Sequence, residues 1–107
     1  GGVTAATALT SVVARSYLMG QSLEVSVAAP RVHHSGSPDI TYYEPNLQKD
    51  VISHLVKKGH NMAATPSIGL VNVAYCFKGL PRDPETCNIL HDTRGHGLAI
   101  TATGLTN

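Results

Sequence analysis

The chain has 107 residues, 42% hydrophobic and 14% charged, with a formal net charge of +1. That length suits one domain, and its eight Lys and Arg are scattered rather than gathered into the basic patch of a nucleic-acid binder. No apolar run reaches the roughly 20 residues that span a bilayer, and the first residues lack the basic-then-apolar pattern of a secretory signal. Four Tyr, one Phe and no Trp form a thin aromatic set, which favours a layer leaning on another segment over a self-contained core. The chain starts at Gly1-Gly2 without a methionine, so it is expected to be a piece of a longer protein.

Residues 3–19, "VTAATALTSVVARSYLM", place Val3, Ala6, Leu9, Val13 and Tyr17 at a 3.6-residue rhythm, with Ala5 and Val12 beside them. With few charges, this predicts a mostly buried helix, stopped by Gly20 in a left-handed conformation. Ser22 is placed to cap a shorter helix, with Glu24 in its first turn. Pro30 ends that helix by disfavouring helical backbone at Ala29. "DITYYE" reads as a short strand between Pro38-Asp39 and Pro45. A third helix is expected over 47–58, capped by Asn46, striped by Leu47, Val51, Ile52 and Leu55, and closed by Gly59. Strands at 67–77 and 87–92 follow, joined by a loop rich in Pro and Gly, and 98–101 either adds one more strand or runs along the surface. The order α-α-β-α-β-β argues for an α+β fold with helices stacked on a mostly antiparallel sheet.

Several motifs invite chemistry. "PRVHH" sets Arg31 two residues before His33-His34, just past the predicted helix end. An extended backbone would send the two imidazoles to opposite faces, which argues against both binding one ion. "HDTRGH" resembles no compact zinc signature either, and no CxxC occurs. A general base in this segment would need a nucleophile or acid within hydrogen-bond reach, and none is evident in the sequence. The favoured reading is a polar corner, in which Arg31 and the imidazoles donate to carbonyls freed at the helix end. Asp92 and Arg94, two apart at a strand end, would share a face and form a local ion pair or internal anchor. Cys76 and Cys87 flank the turn-rich loop and are either joined across a hairpin neck or two unrelated buried thiols; a disulfide would imply an oxidising compartment. Gly1 and Gly2, directly before a helix, could let backbone N–H groups approach an oxyanion.

In order and spacing these pieces resemble the gamma-glutamyltransferase (glutathione hydrolase) family, specifically the C-terminal part of its small subunit. The resemblance rests on "GGVTAATALTSVV", on "APRVHH" followed by "PD", on a short strand reaching Glu44, on a helix ending in "KKGH", and on "DTR" with its following glycine. It covers nearly the whole chain. It implies an N-terminal nucleophile hydrolase αββα sandwich produced by autocleavage, of which residues 1–107 would be an incomplete domain. It further implies a threonine nucleophile upstream of this segment, activated by its own α-amino group, that attacks the γ-glutamyl bond of glutathione or its conjugates. The acyl-enzyme would pass to water or to an amino acid or peptide acceptor. The family's oxyanion glycines align with Gly1 and Gly2. Pro30, Arg31, His33, His34, Asp92 and Arg94 would be structural, and no cofactor or metal is implied. The implied partners are the rest of the small subunit and the large subunit, at an extracellular or outer-membrane-face location, with no membrane contact by this segment. Thr4, Thr7 and Thr10 lie inside a helix pattern and do not replace the nucleophile, so the chain alone should be inactive. Ser35, where the family usually has Gln, and the longer 78–86 loop depart from the family pattern. The competing expectation is a catalytically inactive, family-derived interaction module, which an upstream sequence lacking a processed threonine would favour. In the fragment reading, the 3–18 helix and one sheet face should be exposed in the chain by itself.

Overall fold

The computed structural model describes residues 2–76, 87–95, 99–101 and 104–106. The chain divides into two compact units, Gly1–Gly69 and Leu70–Asn107.

The first unit begins with a 3-10 turn, Gly2–Thr4, that runs into helix α1, Ala5–Val13. A π-helical stretch, Ala14–Leu18, follows, in which the Met19 N–H reaches back five residues to the Ala14 carbonyl at 3.1 Å. Gly20 stops the run at φ 68°, as expected of a residue without a Cβ. The face that α1 buries is shifted from the predicted stripe onto Val12, which flanks it, and Ala8. Ala8 and Val12, four residues apart, are fully buried, whereas Val3 is 83% and Leu9 55% exposed. Small side chains let α1 lie close to the backbone of the 67–69 segment, and the larger apolar residues point away from this unit.

Helix α2, Leu23–Ala28, is capped as its sequence predicts: Ser22 Oγ accepts the Val25 N–H at 3.1 Å. Ala29 leaves the helix at ψ 142°, the extended conformation that a following proline favours. The chain then enters strand β1, Val32–His34, which was expected to be a turn-rich corner. Its alternation of exposed, buried and exposed residues is that of an extended strand, and it directs His33 inward and His34 outward. β2, Thr41–Tyr43, pairs antiparallel with β1, matching His33 to Tyr42. α3, Lys49–Lys57, starts later than predicted, because residues 45–47 form a turn with the Leu47 N–H on the Glu44 carbonyl. Its cap position is Gln48 rather than Asn46, with no side-chain cap bond; Asp50 Oδ1 instead accepts the Val51 N–H at 3.0 Å. Gly59, at φ 97°, closes α3 as expected. A further strand, β3, Met62–Ala64, lies parallel to β2. The residues between β2 and β3, with α3 among them, supply the long crossover that a parallel pair requires. The sheet order is therefore β1-β2-β3, and it is mixed rather than purely antiparallel.

The second unit contains β4, Val73–Cys76, and β5, Cys87–Leu90, paired antiparallel with Cys76 directly opposite Cys87. The two sulfurs are bonded to each other. β6, Ala99–Thr101, pairs antiparallel with β7, Gly104–Thr106, one strand more than the sequence suggested. A two-stranded ribbon is marginal by itself in water, so the β4–β5 pair should depend on its disulfide. Closing a loop of this size is worth about 2–3 kcal/mol. Replacing both cysteines by serine should therefore speed amide exchange across Val73–Cys76 and Cys87–Leu90 while leaving β1–β3 protected. Unchanged exchange in β4 and β5 would mean that other contacts hold the hairpin.

Candidate active-site edge

Gly1 lies outside the described residues, so the proposed glycine pair is represented here by Gly2. It sits at φ 70°, a left-handed conformation that favours glycine, and no heavy atom lies within 4 Å of where a Cβ would project. The 3-10 turn carries it straight into α1. Beside that turn, Val3, Thr4, His33, Ser35, Tyr42, Thr65, Ser67 and Ile68 line an open cleft of about 320 Å³. Gly2 is thus exposed backbone at the edge of a cleft whose walls carry hydroxyl groups.

The cleft floor is braced by a cluster of buried charge. Arg31 is 1% exposed and Glu44 3%. One guanidinium nitrogen of Arg31, Nη1, donates to the Ile68 carbonyl at 3.0 Å, and Nη2 donates to the Val27 carbonyl at the end of α2 at 3.1 Å. Glu44 accepts the Arg31 N–H on Oε1 and the Ile68 N–H on Oε2, each at 2.8 Å. Both polar groups of the Ile68 main chain are therefore held by buried side chains of opposite charge. The cluster joins the end of α2, the start of β1, the end of β2 and the 67–69 segment. Pro30 sets it up by ending α2 one residue before Arg31.

The histidine pair divides its labour. Thr7 Oγ1 of α1 lies 2.7 Å from His33 Nδ1, linking helix to strand, and His33 Nε2 is buried with no hydrogen-bond partner among the described residues. His34 faces outward. Its Nδ1 accepts the Gly36 N–H at 2.9 Å, so the proton sits on Nε2, which donates to Asp39 Oδ1 at 2.9 Å. Asp39 is 82% exposed, so this pair adds little stability. Arg31 meets a carbonyl at the end of α2, whereas the described bonds of the imidazoles go to Thr7, Gly36 and Asp39, contrary to the expectation for this corner. Among the described residues no group of three His, Cys, Asp or Glu side chains could hold a metal ion; His96 lies outside them.

Asp92 and Arg94 do meet, but on a turn rather than on one face of a strand, since β5 ends at Leu90. Asp92 is 1% exposed. Its Oδ2 accepts the Val71 N–H at 3.0 Å, and its Oδ1 accepts the Arg94 N–H at 3.0 Å and Arg94 Nη1 at 2.9 Å. This is an anchor for the second unit, with every described bond internal to it. Sequence reasoning missed Thr7 and Ile68 as partners of His33, Arg31 and Glu44, because separations of 24 to 37 residues leave no local pattern. Glu44 was legible only as an acid at the end of a strand.

Comparison with known proteins agrees with this architecture. The family model described as gamma-glutamyltranspeptidase matches residues 1–102. Glutathione hydrolase proenzyme 1 of Schizosaccharomyces pombe is 31% identical over 102 residues, covering 92% of this chain and 15% of that protein. Gamma-glutamyltranspeptidase from Pseudomonas nitroreducens, solved in complex with L-DON, superimposes with a TM-score of 0.79 at 26% identity, covering 95% of this chain and 52% of that one. A T380A mutant of the Helicobacter pylori gamma-glutamyltranspeptidase matches in fold, with a TM-score of 0.70 at 22% identity over 84% of this chain and 48% of that one. The chain thus spans about half of the solved chains that it matches, and less of the curated relative. Its α+β arrangement is that of these enzymes of the N-terminal nucleophile hydrolase class. The match to the family model over residues 1–102, with 31% identity to a glutathione hydrolase, shows that this chain belongs to the gamma-glutamyltranspeptidase family.

Proposed function

We propose that this chain is the C-terminal part of the small subunit of a gamma-glutamyltransferase. The enzyme would cleave the γ-glutamyl bond of glutathione and its conjugates, and transfer the glutamyl group to water or to an amino acid or peptide acceptor. The observation that carries the reading is the family match along residues 1–102, a span that includes Gly1-Gly2, the Arg31 segment and the Asp92–Arg94 turn. In this reading a threonine outside the chain is the nucleophile and forms the acyl-enzyme. Gly1 and Gly2 supply main-chain N–H groups to the oxyanion of the tetrahedral intermediate, a task suited to backbone at the edge of an open cleft. Pro30, Arg31, His33, His34, Asp92 and Arg94 hold the scaffold without touching substrate.

Two further features support the reading. The outward face of the first helical run carries Leu9, Val13 and Leu18, the last 84% exposed, around a shallow apolar groove. Apolar surface of that kind suits burial by the rest of the small subunit or by the large subunit. The Cys76–Cys87 bond fits an extracellular location, since such bonds persist in oxidising surroundings. No helix among the described residues is long and apolar enough to cross a membrane.

The test is to express the full-length proenzyme, follow its conversion into two polypeptides, and assay it with a chromogenic γ-glutamyl anilide. Expected are a new N-terminal threonine, anilide release accelerated by a dipeptide acceptor, and no turnover from residues 1–107 alone. A correctly matured protein that releases no anilide would sink the proposal in favour of an inactive interaction module.

A further inference from the structure

We infer that Gly69 is a positioning residue for the turn that carries Gly2, acting through a contact with α1 that leaves no room for a side chain. The inference rests on the reading of Gly1 and Gly2 as oxyanion donors and adds to it the element that sets their position. Gly69 has φ +70°, and a Cβ built on it would stand 2.5 Å from the Ala8 Cβ and 3.1 Å from the Thr4 carbonyl oxygen. Ordinary contact begins at 3.4 Å, so the backbone of Gly69 lies directly against the first turn of α1. Thr4 is the last residue of the 3-10 turn that begins at Gly2.

Neither side of this contact can easily give way. On one side, Ile68 is held at both ends of its main chain, its N–H by Glu44 Oε2 and its carbonyl by Arg31 Nη1, so Gly69 cannot retreat. On the other side, Ala8 is 0% and Val12 2% exposed, and the Thr7–His33 bond ties the first turn of α1 to β1. The less constrained part is the 3-10 turn that precedes α1, where Gly2 and Val3 are exposed. An added methyl group at position 69 should therefore be absorbed by displacing the Thr4 turn, and Gly2 with it. Oxyanion donors act only within a narrow range of distances, and a misplacement of about 1 Å can cost about 10²-fold in rate.

The experiment compares matured full-length enzymes carrying Gly69→Ala, Ala8→Gly with Gly69→Ala, and Gly2→Val as reference. Gly69→Ala is expected to lower kcat by about 10²-fold with KM changed less than about threefold. The double variant should regain at least about tenfold of that loss, because removing the Ala8 Cβ relieves the closest contact. A purely structural residue would lower thermal stability while leaving kcat of the matured enzyme intact. If Gly2→Val abolishes turnover but Gly69→Ala does not, the positioning role is wrong and the oxyanion reading stands. If Gly2→Val keeps full turnover, the oxyanion reading itself fails. Failure of Ala8→Gly to restore any activity would trace the loss to backbone strain at φ +70° and overturn the contact mechanism. Should Gly69→Ala not mature, Ala8→Val enlarges the same contact from the helix side, and an unchanged kcat in that variant overturns the proposal.

Discussion

If Gly2 is an oxyanion donor as proposed, replacing it with valine in the proenzyme is expected to lower kcat by about 10²–10³-fold, the cost of losing one such donor, with KM little changed. The backbone explains the size and the selectivity. Gly2 adopts φ 70°, a region that a β-branched residue enters only under strain. Relief of that strain would rotate the peptide groups on either side and so shift the main-chain N–H groups that the oxyanion proposal uses. Nothing lies within 4 Å of the added Cβ, so the side chain itself meets no obstacle and the fold should be kept. The effect should therefore appear in turnover and not in the melting temperature. Steady-state kcat and KM with a γ-glutamyl anilide give the answer directly. A kcat within about twofold of the parent would remove this main chain from the chemistry.

The second large effect concerns stability. Glu44→Gln or Arg31→Met should each destabilise the folded enzyme by roughly 2–4 kcal/mol, because each leaves buried main-chain groups without their partner. Glu44 is 3% exposed and accepts two backbone N–H groups; a glutamine there offers one oxygen and must aim an amide N–H at a second donor. Arg31 is 1% exposed and binds the carbonyls of Ile68 and Val27, which a methionine would strand. The double variant should cost clearly less than the sum, since both side chains hold the same Ile68 main chain and act as one unit. Urea midpoints of the matured enzyme would report this, together with the yield of processed protein. A loss below about 1 kcal/mol in both single variants would show the cluster to be incidental to folding.

Much of the local structure was legible from short-range chemistry. Ser22 could be named as a cap, Gly20 and Gly59 as stops and Pro30 as a terminator, because each acts on backbone within four residues of itself. The hairpin of β4 and β5 was legible for the same reason, through the turn-rich loop between its strands, although the bond between its cysteines was only one of two alternatives. Strand β1 was missed because "PRVHH" carries too few apolar residues to show alternation, although its burial alternates once it is paired. β3 was missed because three residues of a parallel strand have no pattern of their own and need β2 beside them. Asn46 has the chemistry of a cap, but a turn at 45–47 delayed α3 and moved its start to Gln48.

The candidate site was legible only in part. Gly1-Gly2, "PRVHH" and "DTR" stood out, yet the residues that give them meaning did not. The 3.6-residue rhythm of 3–19 correctly called for a helix, but the buried face is shifted from its stripe. Periodicity states that a face is apolar, not which neighbour will cover it. Within this chain α1 packs through Ala8 and Val12, the residues small enough to let backbone come close, while Leu9 and Val13 stay outward.

By itself, then, the sequence determined the helices and their C-terminal stops, the β4–β5 hairpin, and the membership of a family whose motifs keep their order along the chain; whether Cys76 and Cys87 are bonded stayed open. The tertiary structure alone decided that Arg31 and Glu44 close on Ile68, that Thr7 meets His33, and that Gly69 presses on the turn behind Gly2. Those contacts join residues 24 to 65 positions apart, and their partners are chosen by burial and hydrogen-bond satisfaction in three dimensions, which no spacing along the chain encodes.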